Sequence, residues 1–246
     1  MFVLLPPSET KALGGDGAPL DLDSLAFGEL NPVRAKLADA LAELAADVPA
    51  SLRALGLSPR QEHEVEHNAL LRDSPTLPAL ERYTGVLYDA LDIGSFSKAA
   101  RAKADRRLAV ASALFGIASG TDRIPAYRLS GGSTLPAIGS LPALWRPALE
   151  PVLAGMDGLI VDLRSGAYAN LARVPYAVTV RVVTENAAGV RKTVSHHNKA
   201  YKGKLAAVLA TARTEPSTVE GLLRLVAKAG LHVERTDDYT IELLTD

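Results

Sequence analysis

The sequence predicts a mixed α/β (α+β) fold in which a mixed sheet is flanked by helices. Short apolar runs such as Phe2–Leu5 and 159–163 have the length of buried strands, and longer segments such as 32–48 have helical periodicity. Hydrophobic residues make up 48% of the 246 residues, which is enough to build a sizeable core. No repeat or linker interrupts the chain, so we expect residues 1–246 to form a single compact domain.

The first half of the chain is predicted to be mainly helical. Phe2–Leu5 ends at Pro6-Pro7, as a buried strand that leads into a loop does. Helices are expected where helical spacing of apolar residues follows a capping residue such as Asn31 or Ser58. They are predicted at 32–48, 59–71, 77–91 and 97–106, and a strand is predicted at 108–114.

The second half is predicted to supply the rest of the sheet. Weak periodicity and many Gly, Pro and Ser residues indicate an irregular loop region at 116–147. The apolar run 159–163 is expected to be a central strand, and a hairpin is predicted around Asn186-Ala187-Ala188-Gly189. The hairpin strands are 176–184 and 190–195, further helices are 198–213 and 217–229, and the last strands are 232–235 and 239–244.

Composition restricts the class of protein. Cysteine is absent, which excludes disulfides and thiolate metal sites and fits a reducing compartment. The amino-terminal apolar run is too short for a signal peptide, and none approaches the about 20 residues of a membrane span, so we expect a soluble cytoplasmic protein without a membrane partner. With 27 basic and 28 acidic side chains the net charge is −1, so any nucleic-acid contact needs a local basic patch.

Such a patch is present between Arg191 and Lys204. These fourteen residues include five Lys or Arg and two His side chains but no acid. They lie where a strand is expected to lead into a helix, and a helix N-terminus favours anions through its free N–H groups and its dipole. The pattern favours phosphate binding, and the alternative is an ordinary solvated charged face. The predicted binding residues are His197, Asn198 as N-cap, Lys199 and Lys202 on one helix face, and Lys204.

Two polar loops follow predicted strands. Ser8-Glu9-Thr10-Lys11 comes after Phe2–Leu5, and Ser165-Gly166-Ala167-Tyr168 comes after 159–163. Ligand sites of α/β proteins lie at the carboxyl ends of strands, so both loops would face one cleft if the two strands are neighbours. The alternative is a pair of ordinary turns. The candidate binding residues are Ser8, Thr10, Lys11, Ser165 and Tyr168, with Arg128 as a fork-shaped phosphate partner and Glu9 to orient Lys11 or act as a base.

One motif formally matches the His-Glu-x-x-His pattern of zinc hydrolases. In His63-Glu64-Val65-Glu66-His67 two histidines are one helical turn apart and a glutamate follows the first. Glu66 adds charge to a motif that is normally embedded in an apolar helix, and no third ligand is evident downstream. The pattern is better explained by a solvated acidic helix face with Val65, Ala69 and Leu70 turned inward. A zinc hydrolase is therefore a remote alternative, and we predict no metal and no cofactor.

Several segments together resemble the YaaA family of bacterial peroxide-stress proteins. They occur in the family's order and extend nearly from end to end. The segments are 2–11, Tyr83-Thr84-Gly85 with Tyr88, Phe115-Gly116, Asp122, Ile124-Pro125, Tyr127-Arg128-Leu129, Trp145, Leu163 with Ser165 and Tyr168, and Lys199, Lys202 and Gly203. The sequence departs from the family where an opening lysine is displaced to Lys11, and where Ala200 and Tyr201 replace a basic residue.

The resemblance implies a cytosolic protein of oxidative-stress defence with a basic cleft that binds DNA through a helix-hairpin-helix-like element. Leu55-Gly56-Leu57-Ser58 is compatible with such a turn, and a plain helix connection is the alternative. Two functions follow: binding of DNA without strong sequence preference, or an enzyme that acts on a nucleotide or nucleobase. A long open basic groove would favour DNA, and a closed pocket with a buried lysine of shifted pKa would favour the enzyme.

Overall fold

The computed structural model describes residues 1–193 and 198–245. The strands are β1 (Phe2–Leu5), β2 (Leu77–Pro78), β3 (Leu108–Ser112), β4 (Gly116–Ser119), β5 (Arg123–Ile124), β6 (Thr134–Leu135), β7 (Gly139–Ser140), β8 (Ile160–Asp162), β9 (Val178–Glu185), β10 (Arg191–Thr193), β11 (Val233–Asp237) and β12 (Thr240–Thr245). The helices are α1 (Asn31–Ala45), α2 (Val48–Leu55), α3 (His63–Ala69), α4 (Ala79–Arg82), α5 (Val86–Leu91), α6 (Lys98–Arg107), α7 (Leu141–Ala154), α8 (Gly166–Ala169), α9 (Asn198–Thr211) and α10 (Val219–Lys228).

The main sheet is mixed and mostly parallel, and helices flank it, which confirms the predicted fold class. Its strand order is β11-β12-β9-β8-β1-β3-β4, with β10 paired to β9 outside this path. The strands β3, β1, β8, β9 and β12 run parallel to one another, and β4, β10 and β11 add antiparallel pairs. The neighbours of β1 are therefore β8 and β3, so the loops that follow β1 and β8 leave the same edge of the sheet.

The centre of the sheet is fully buried. Val3, Leu4 and Leu5 of β1 are at most 1% exposed, as expected for a parallel strand covered on both faces. Helix α9 contacts β1 and β9 and packs closely on α5 and α6. At the α5–α9 crossing Gly203 lies against the Leu87 carbonyl, where a Cβ would come closer than van der Waals contact allows. None of the helices in the described part of the chain is long and apolar enough to cross a membrane.

Most of the predicted elements are confirmed. Strand β1 has the predicted bounds, and Ser97 caps α6 by accepting a hydrogen bond of 3.3 Å from the Ala100 N–H. The predicted hairpin is β9–β10 as far as Thr193, beyond which the described residues resume at Asn198. Helices α9 and α10 and the final pair β11–β12 also lie where the sequence places them.

The helix predicted at 77–91 is wrong, because the chain leaves the helical conformation at the Tyr83-Thr84-Gly85 motif. Tyr83 is extended, and Gly85 has a φ of 97°, which a residue with a side chain rarely adopts. The helix predicted at 32–48 also ends early, at Ala45. Asp47 then caps α2 by accepting a hydrogen bond of 2.9 Å from the Ala50 N–H.

The irregular loop predicted at 116–147 is wrong at both of its ends. Strand β4 occupies its start, and α7 begins at Leu141. Prolines at the start and inside α7 weaken the helical signal, since proline in a helix interior is normally unfavourable. Trp145 of α7 is buried and donates a hydrogen bond of 2.8 Å to the Ala113 carbonyl, which fixes the helix against the end of β3.

Candidate functional site

The loops that follow β1 and β8 enclose a cavity together with α5 and α9. Its volume is about 440 Å³, within the range of small-molecule sites. We call it the strand-end pocket, because it lies at the carboxyl ends of two adjacent parallel strands. It is lined by residues 6–10 and 84–88 and by Leu163, Ser165, Tyr168, Asn198, Lys199 and Lys202.

The strand-end pocket gathers most of the predicted binding residues but not all of them. The residues that it brings together are Ser8, Thr10, Ser165, Tyr168, Asn198, Lys199 and Lys202. Lys11 and Arg128 lie on the other side of the loop 8–11, and Lys204 lies outside the pocket. His197 lies outside the described residues.

Hydroxyl groups of the β1 loop are positioned by the Tyr83-Thr84-Gly85 break. The Ser8 and Thr10 hydroxyls share a hydrogen bond of 3.0 Å, and the Thr10 hydroxyl donates to the Thr84 carbonyl at 3.3 Å. A Cβ on Gly85 would lie 3.3 Å from Thr10 Oγ1 and 3.4 Å from Ser8 Oγ, so glycine leaves room for both hydroxyls. Sequence reasoning named Ser8 and Thr10 as site residues but missed Thr84 and Gly85, because it placed them inside a continuous helix.

Lys202 is buried in α9 and holds the loop that follows β8. Its ammonium donates to the Leu163 carbonyl at 2.9 Å and to the Arg164 carbonyl at 3.4 Å. Burial lowers the pKa of Lys202, while the Asp162 carboxylate opposes that shift. Lys202 therefore shapes the wall of the pocket and adds positive charge to it.

Asn198 and Lys199, at the start of α9, are the polar groups of the pocket with unused hydrogen-bonding capacity. Asn198 Oδ1 is buried and has no hydrogen-bond partner among the described residues. Lys199 is exposed and forms no ion pair with any residue that the structure describes. The Lys199 ammonium is therefore available to an anionic ligand, whereas Asn198 Oδ1 is an acceptor and does not itself bind an anion.

The aromatic residues of the pocket use their hydroxyls within the protein. Tyr88 donates to the Pro6 carbonyl at 2.9 Å, and its ring stacks on Tyr83 with centroids 5.6 Å apart. Burial raises the pKa of Tyr88 and of Tyr168, and the Glu9 carboxylate raises that of Tyr168 further. Both phenols are therefore neutral at physiological pH, and neither supplies a base.

Lys11 lines a second, smaller cavity on the other side of the β1 loop. Its volume is about 180 Å³, and we call it the lysine cavity. The Lys11 ammonium donates to the Ser8 carbonyl at 3.1 Å and lies 4.3 Å from the centroid of the Tyr127 ring. Burial lowers the pKa of Lys11 to about 8. The cavity is lined by Glu9, Thr10, Lys11, Leu13, His63, Glu64, His67, Ala126 and Tyr127.

A buried chain of hydroxyls supports the floor of the lysine cavity. The Tyr127 hydroxyl lies 2.8 Å from the Tyr83 hydroxyl and 2.7 Å from Ser112 Oγ. Ser112 Oγ also accepts a hydrogen bond of 2.9 Å from the Phe115 N–H. Burial raises the pKa of Tyr83 to about 12. Sequence reasoning did not connect these residues, because they come from separate segments of the chain.

Arg128 pairs with Glu9 rather than lining the strand-end pocket. Its Nη1 lies 3.4 Å from Glu9 Oε2, and its side chain is 14% exposed. The backbone of Arg128 is fixed by the buried Asn68 of α3, whose side chain accepts from the N–H and donates to the carbonyl, each at 2.8 Å. Arg128 therefore neutralises the Glu9 carboxylate beside the pocket.

The charged residues of the basic segment 191–204 have different surroundings in the structure. Arg191 contacts three carboxylates from neighbouring strands: Glu185 at 2.7 Å, Glu234 at 2.6 Å and Glu242 at 3.0 Å. Lys204 is exposed and lies 4.8 Å from the centroid of the Tyr201 ring. The sheet thus compensates the charge of Arg191, whereas the exposed Lys192, Lys199 and Lys204 form no ion pair with a described residue.

The His-Glu-x-x-His match is on α3, at the rim of the lysine cavity. The His63 side chain is 67% exposed and lies 4.0 Å from Glu64. The described residues contain no group of three His, Cys, Asp or Glu side chains arranged to hold a metal ion. Val65 turns inward as predicted, but the second buried residue is Asn68, whereas Ala69 and Leu70 are exposed.

The turn Leu55-Gly56-Leu57-Ser58 connects two helices, and its N–H groups are engaged within the protein. Gly56 and Leu57 donate to the Arg53 and Leu52 carbonyls at 3.3 and 2.8 Å, as at a glycine helix C-cap. The Ser58 N–H donates to Gln61 Oε1 at 3.1 Å. This turn is therefore a plain helix connection rather than a set of free phosphate donors.

Comparison with known proteins agrees with these motifs. A family model described as peroxide stress protein YaaA matches residues 1–236. A UPF0246 protein of Corynebacterium efficiens is 49% identical over 238 residues, 95% of each chain. A UPF0246 protein of Streptomyces coelicolor is 44% identical over 239 residues, 95% of this chain and 92% of the relative. The chain therefore belongs to the YaaA (UPF0246) family of peroxide stress proteins.

Proposed function

We propose that this peroxide stress protein binds DNA and holds a backbone phosphate in the strand-end pocket. The observation that carries the proposal is the convergence of an exposed lysine, an amide and three hydroxyls on one cavity. Lys199 and Asn198 open into it from α9, and the hydroxyls of Ser8, Thr10 and Ser165 enter from two strand-end loops. Ammonium, amide and hydroxyl donors are the groups that bind phosphate oxygens in protein–DNA complexes.

The local charge supports an anionic ligand although the whole chain has a net charge of −1. The pocket contains two lysines, Lys199 and Lys202, and a single acid, Glu9. Because the Glu9 carboxylate is paired with Arg128, the pocket keeps a positive balance. Phosphate contacts carry no sequence information, so we expect little base preference.

The size of the pocket suggests which form of DNA binds best. A cavity of about 440 Å³ accommodates one nucleotide rather than the width of a duplex. We therefore expect single-stranded or unpaired DNA to bind more tightly than a perfect duplex, because an unpaired nucleotide enters the pocket without breaking a base pair.

A salt series with a labelled single-stranded oligonucleotide tests this proposal. Lys199→Ala is expected to weaken binding about tenfold and to reduce the slope of log affinity against log salt by about one. Lys204→Ala is the matched control, because Lys204 is an exposed lysine of the same helix outside the pocket. An equal effect of the two substitutions would show that the helix surface, not the pocket, attracts DNA.

A second candidate function is an enzyme that acts on a nucleotide or nucleobase. The observation that favours it is Lys11, a half-buried amine with a pKa lowered to about 8 in its own cavity. Free mononucleotides added to the same titration separate the two functions. Stoichiometric mononucleotide binding that is lost in Lys199→Ala, without measurable DNA binding, would support the enzyme and exclude DNA as the ligand.

A further inference from the structure

Lys11 is a half-buried cation without a carboxylate partner among the described residues. Its ammonium contacts two backbone carbonyls, those of Ser8 at 3.1 Å and Glu9 at 3.4 Å. The neighbouring Glu9 carboxylate is turned to Arg128 instead. Burying an ammonium without a counter-ion is unfavourable, so a lysine in this position has a chemical rather than a structural advantage.

Burial disfavours the charged form of Lys11, whereas two aromatic ring faces and two carbonyls stabilise its ammonium. The Tyr83 and Tyr127 rings lie 5.4 and 4.3 Å from its Nζ. The charged groups that face it oppose one another: Glu9 and Glu64 raise its pKa, Arg128 and Arg82 lower it, and burial dominates. With a pKa of about 8, about a quarter of the amine is neutral at pH 7.5, against about one part in a thousand for an exposed lysine.

The lysine cavity has the size and lining for a short carbon chain. Its volume is about 180 Å³, with apolar walls from Leu13, Ala126 and the Tyr127 ring. Glu9 and Thr10 line this cavity and the strand-end pocket as well, so the two cavities flank the same loop. A ligand that spans this loop would place its phosphate beside Lys199 and its carbon end beside Lys11.

We propose that Lys11 forms a Schiff base with the aldehyde of a phosphorylated sugar, such as an open-chain deoxyribose phosphate in DNA or free. The proposal rests on the phosphate site proposed above. The Lys11 lone pair adds to the carbonyl carbon and gives a carbinolamine. In the carbinolamine one amine hydrogen has moved to the former carbonyl oxygen. One proton from solvent then converts this hydroxyl into water, which leaves, and the protonated imine keeps the second amine hydrogen. No oxidant or reductant is needed for this step.

Reductive trapping tests the proposal. The protein is incubated with 2-deoxyribose 5-phosphate and sodium cyanoborohydride, which transfers hydride to the imine and makes the adduct permanent. Intact mass and peptide mapping then give the modified lysines. We expect Lys11 to be modified at least about tenfold faster than Lys204, because far more of its amine is neutral. In Lys11→Gln the fast adduct is expected to disappear.

The pH dependence of trapping adds a readout that a purely structural role of Lys11 would not produce. The rate of Lys11 modification is expected to rise with pH and to level off near its pKa of about 8. Uniform modification of all lysines, with Lys11 no faster than Lys204, would overturn the proposal. Mapping on the wild-type protein gives this result even if Lys11→Gln does not fold.

A phosphate-free probe separates failure of this inference from failure of the proposed function. If 2-deoxyribose labels Lys11 as fast as its 5-phosphate does, the amine is reactive but the phosphate site is wrong. If neither probe labels Lys11, while Lys199→Ala still weakens DNA binding, the phosphate site stands and the Schiff base is wrong. Labelling that depends on both the phosphate and Lys199 would support both.

Discussion

At the scale of single residues, Lys202 is buried and Lys11 is half-buried, and the surroundings of the two lysines differ. Lys202 donates to two carbonyls of the loop after β8, so removing it leaves strand-end acceptors without their donor. Lys11 faces an open cavity and two aromatic rings. The first arrangement stabilises the wall of a pocket, and the second leaves an amine accessible for chemistry.

The lowered pKa of Lys11 predicts how the stability of the protein depends on pH. The pKa is about 8 in the folded state and about 10.5 in the unfolded chain, so between these values the unfolded state binds more protons. The free energy of unfolding contributed by this group therefore rises with pH through that window. Relative to Lys11→Met, the wild-type protein is expected to gain about 2 kcal/mol between pH 7 and 10.

Urea denaturation of both proteins at a series of pH values measures this difference. Since both proteins contain the same tyrosines and the same Lys202, the contributions of those groups cancel in the comparison. A difference that stays constant with pH would mean that the Lys11 amine is solvated in the folded protein. A stability difference that falls as the pH rises would mean that the pKa of Lys11 is raised, not lowered, in the folded protein.

Arg191 shows why the charge pattern of a sequence can mislead. Within its own segment it has no acidic neighbour, and this absence suggested free positive charge. Three strands of the sheet nevertheless bring Glu185, Glu234 and Glu242 to its guanidinium. Ion pairs between strands depend on the order of the strands in the sheet. The charges that neighbour Arg191 in the sequence do not reveal that order.

At the scale of elements, the crossing of α5 and α9 fixes one side of the strand-end pocket. Gly203 allows the contact, since its Cα lies directly against the backbone of Leu87. Gly203→Ala is expected to destabilise the protein by about 1–3 kcal/mol, because the added methyl group forces the helices apart. It is also expected to weaken ligand binding, since Leu87 and Lys202 on these helices line the pocket.

Gly94→Ala is the matched control for this substitution. A Cβ at Gly94 would meet no atom within 4 Å, and its φ is not in the left-handed region. Urea denaturation is expected to show little change for Gly94→Ala and a clear loss for Gly203→Ala. Equal stabilities would mean that the two helices have room to separate, and that the crossing does not fix the pocket.

The sequence predicts those elements whose signals are local and continuous. β1, α6, α9 and the hairpin β9–β10 have clear periodicity, caps or turn residues, and each is confirmed. The break at Tyr83-Thr84-Gly85 was missed, because the flanking segments share one helical pattern while Gly85 takes a φ that only the tertiary structure requires. The sequence does not predict helix α7, because prolines weaken its helical signal, although its Trp145 is buried in the core.

The same reasoning accounts for what was predicted of the site. Two polar loops after strands were placed in one cleft on the condition that the strands are neighbours, and β1 and β8 are indeed paired in parallel. The separation of Lys11 from the strand-end pocket was not predictable. It depends on the side of the β1 loop on which the Lys11 side chain lies. Contacts with Tyr83 and Tyr127, which come from distant segments, determine that side.

At the scale of the whole molecule, two fully buried arginines connect segments that are far apart in the chain. Arg34 of α1 donates to the Phe115 and Ile117 carbonyls at 3.1 and 2.9 Å, and so ties α1 to β4. Arg82 of α4 contacts three segments, since it donates to the carbonyls of Ala12, Gly14, Pro75 and Ile124. Two of these carbonyls belong to the chain that immediately follows Lys11, so Arg82 helps to fix the lysine cavity.

Arg82→Met is expected to destabilise the protein by about 1–3 kcal/mol, because it removes the donor that four carbonyls share and leaves the buried Ile124 carbonyl without this partner. Arg106→Met is the matched control, since Arg106 is an arginine at the end of α6 that donates a hydrogen bond to a carbonyl one turn earlier.

The measurement combines urea denaturation with reductive trapping of Lys11. Release of the chain around residues 12–14 would expose the Lys11 amine to water and return its pKa towards 10.5, so Lys11 in Arg82→Met should lose its fast modification at pH 7.5 under conditions in which the protein is still folded. A loss of stability without any change in trapping would show that the lysine cavity is maintained by Tyr83 and Tyr127 alone, independently of the arginine that connects it to the rest of the fold.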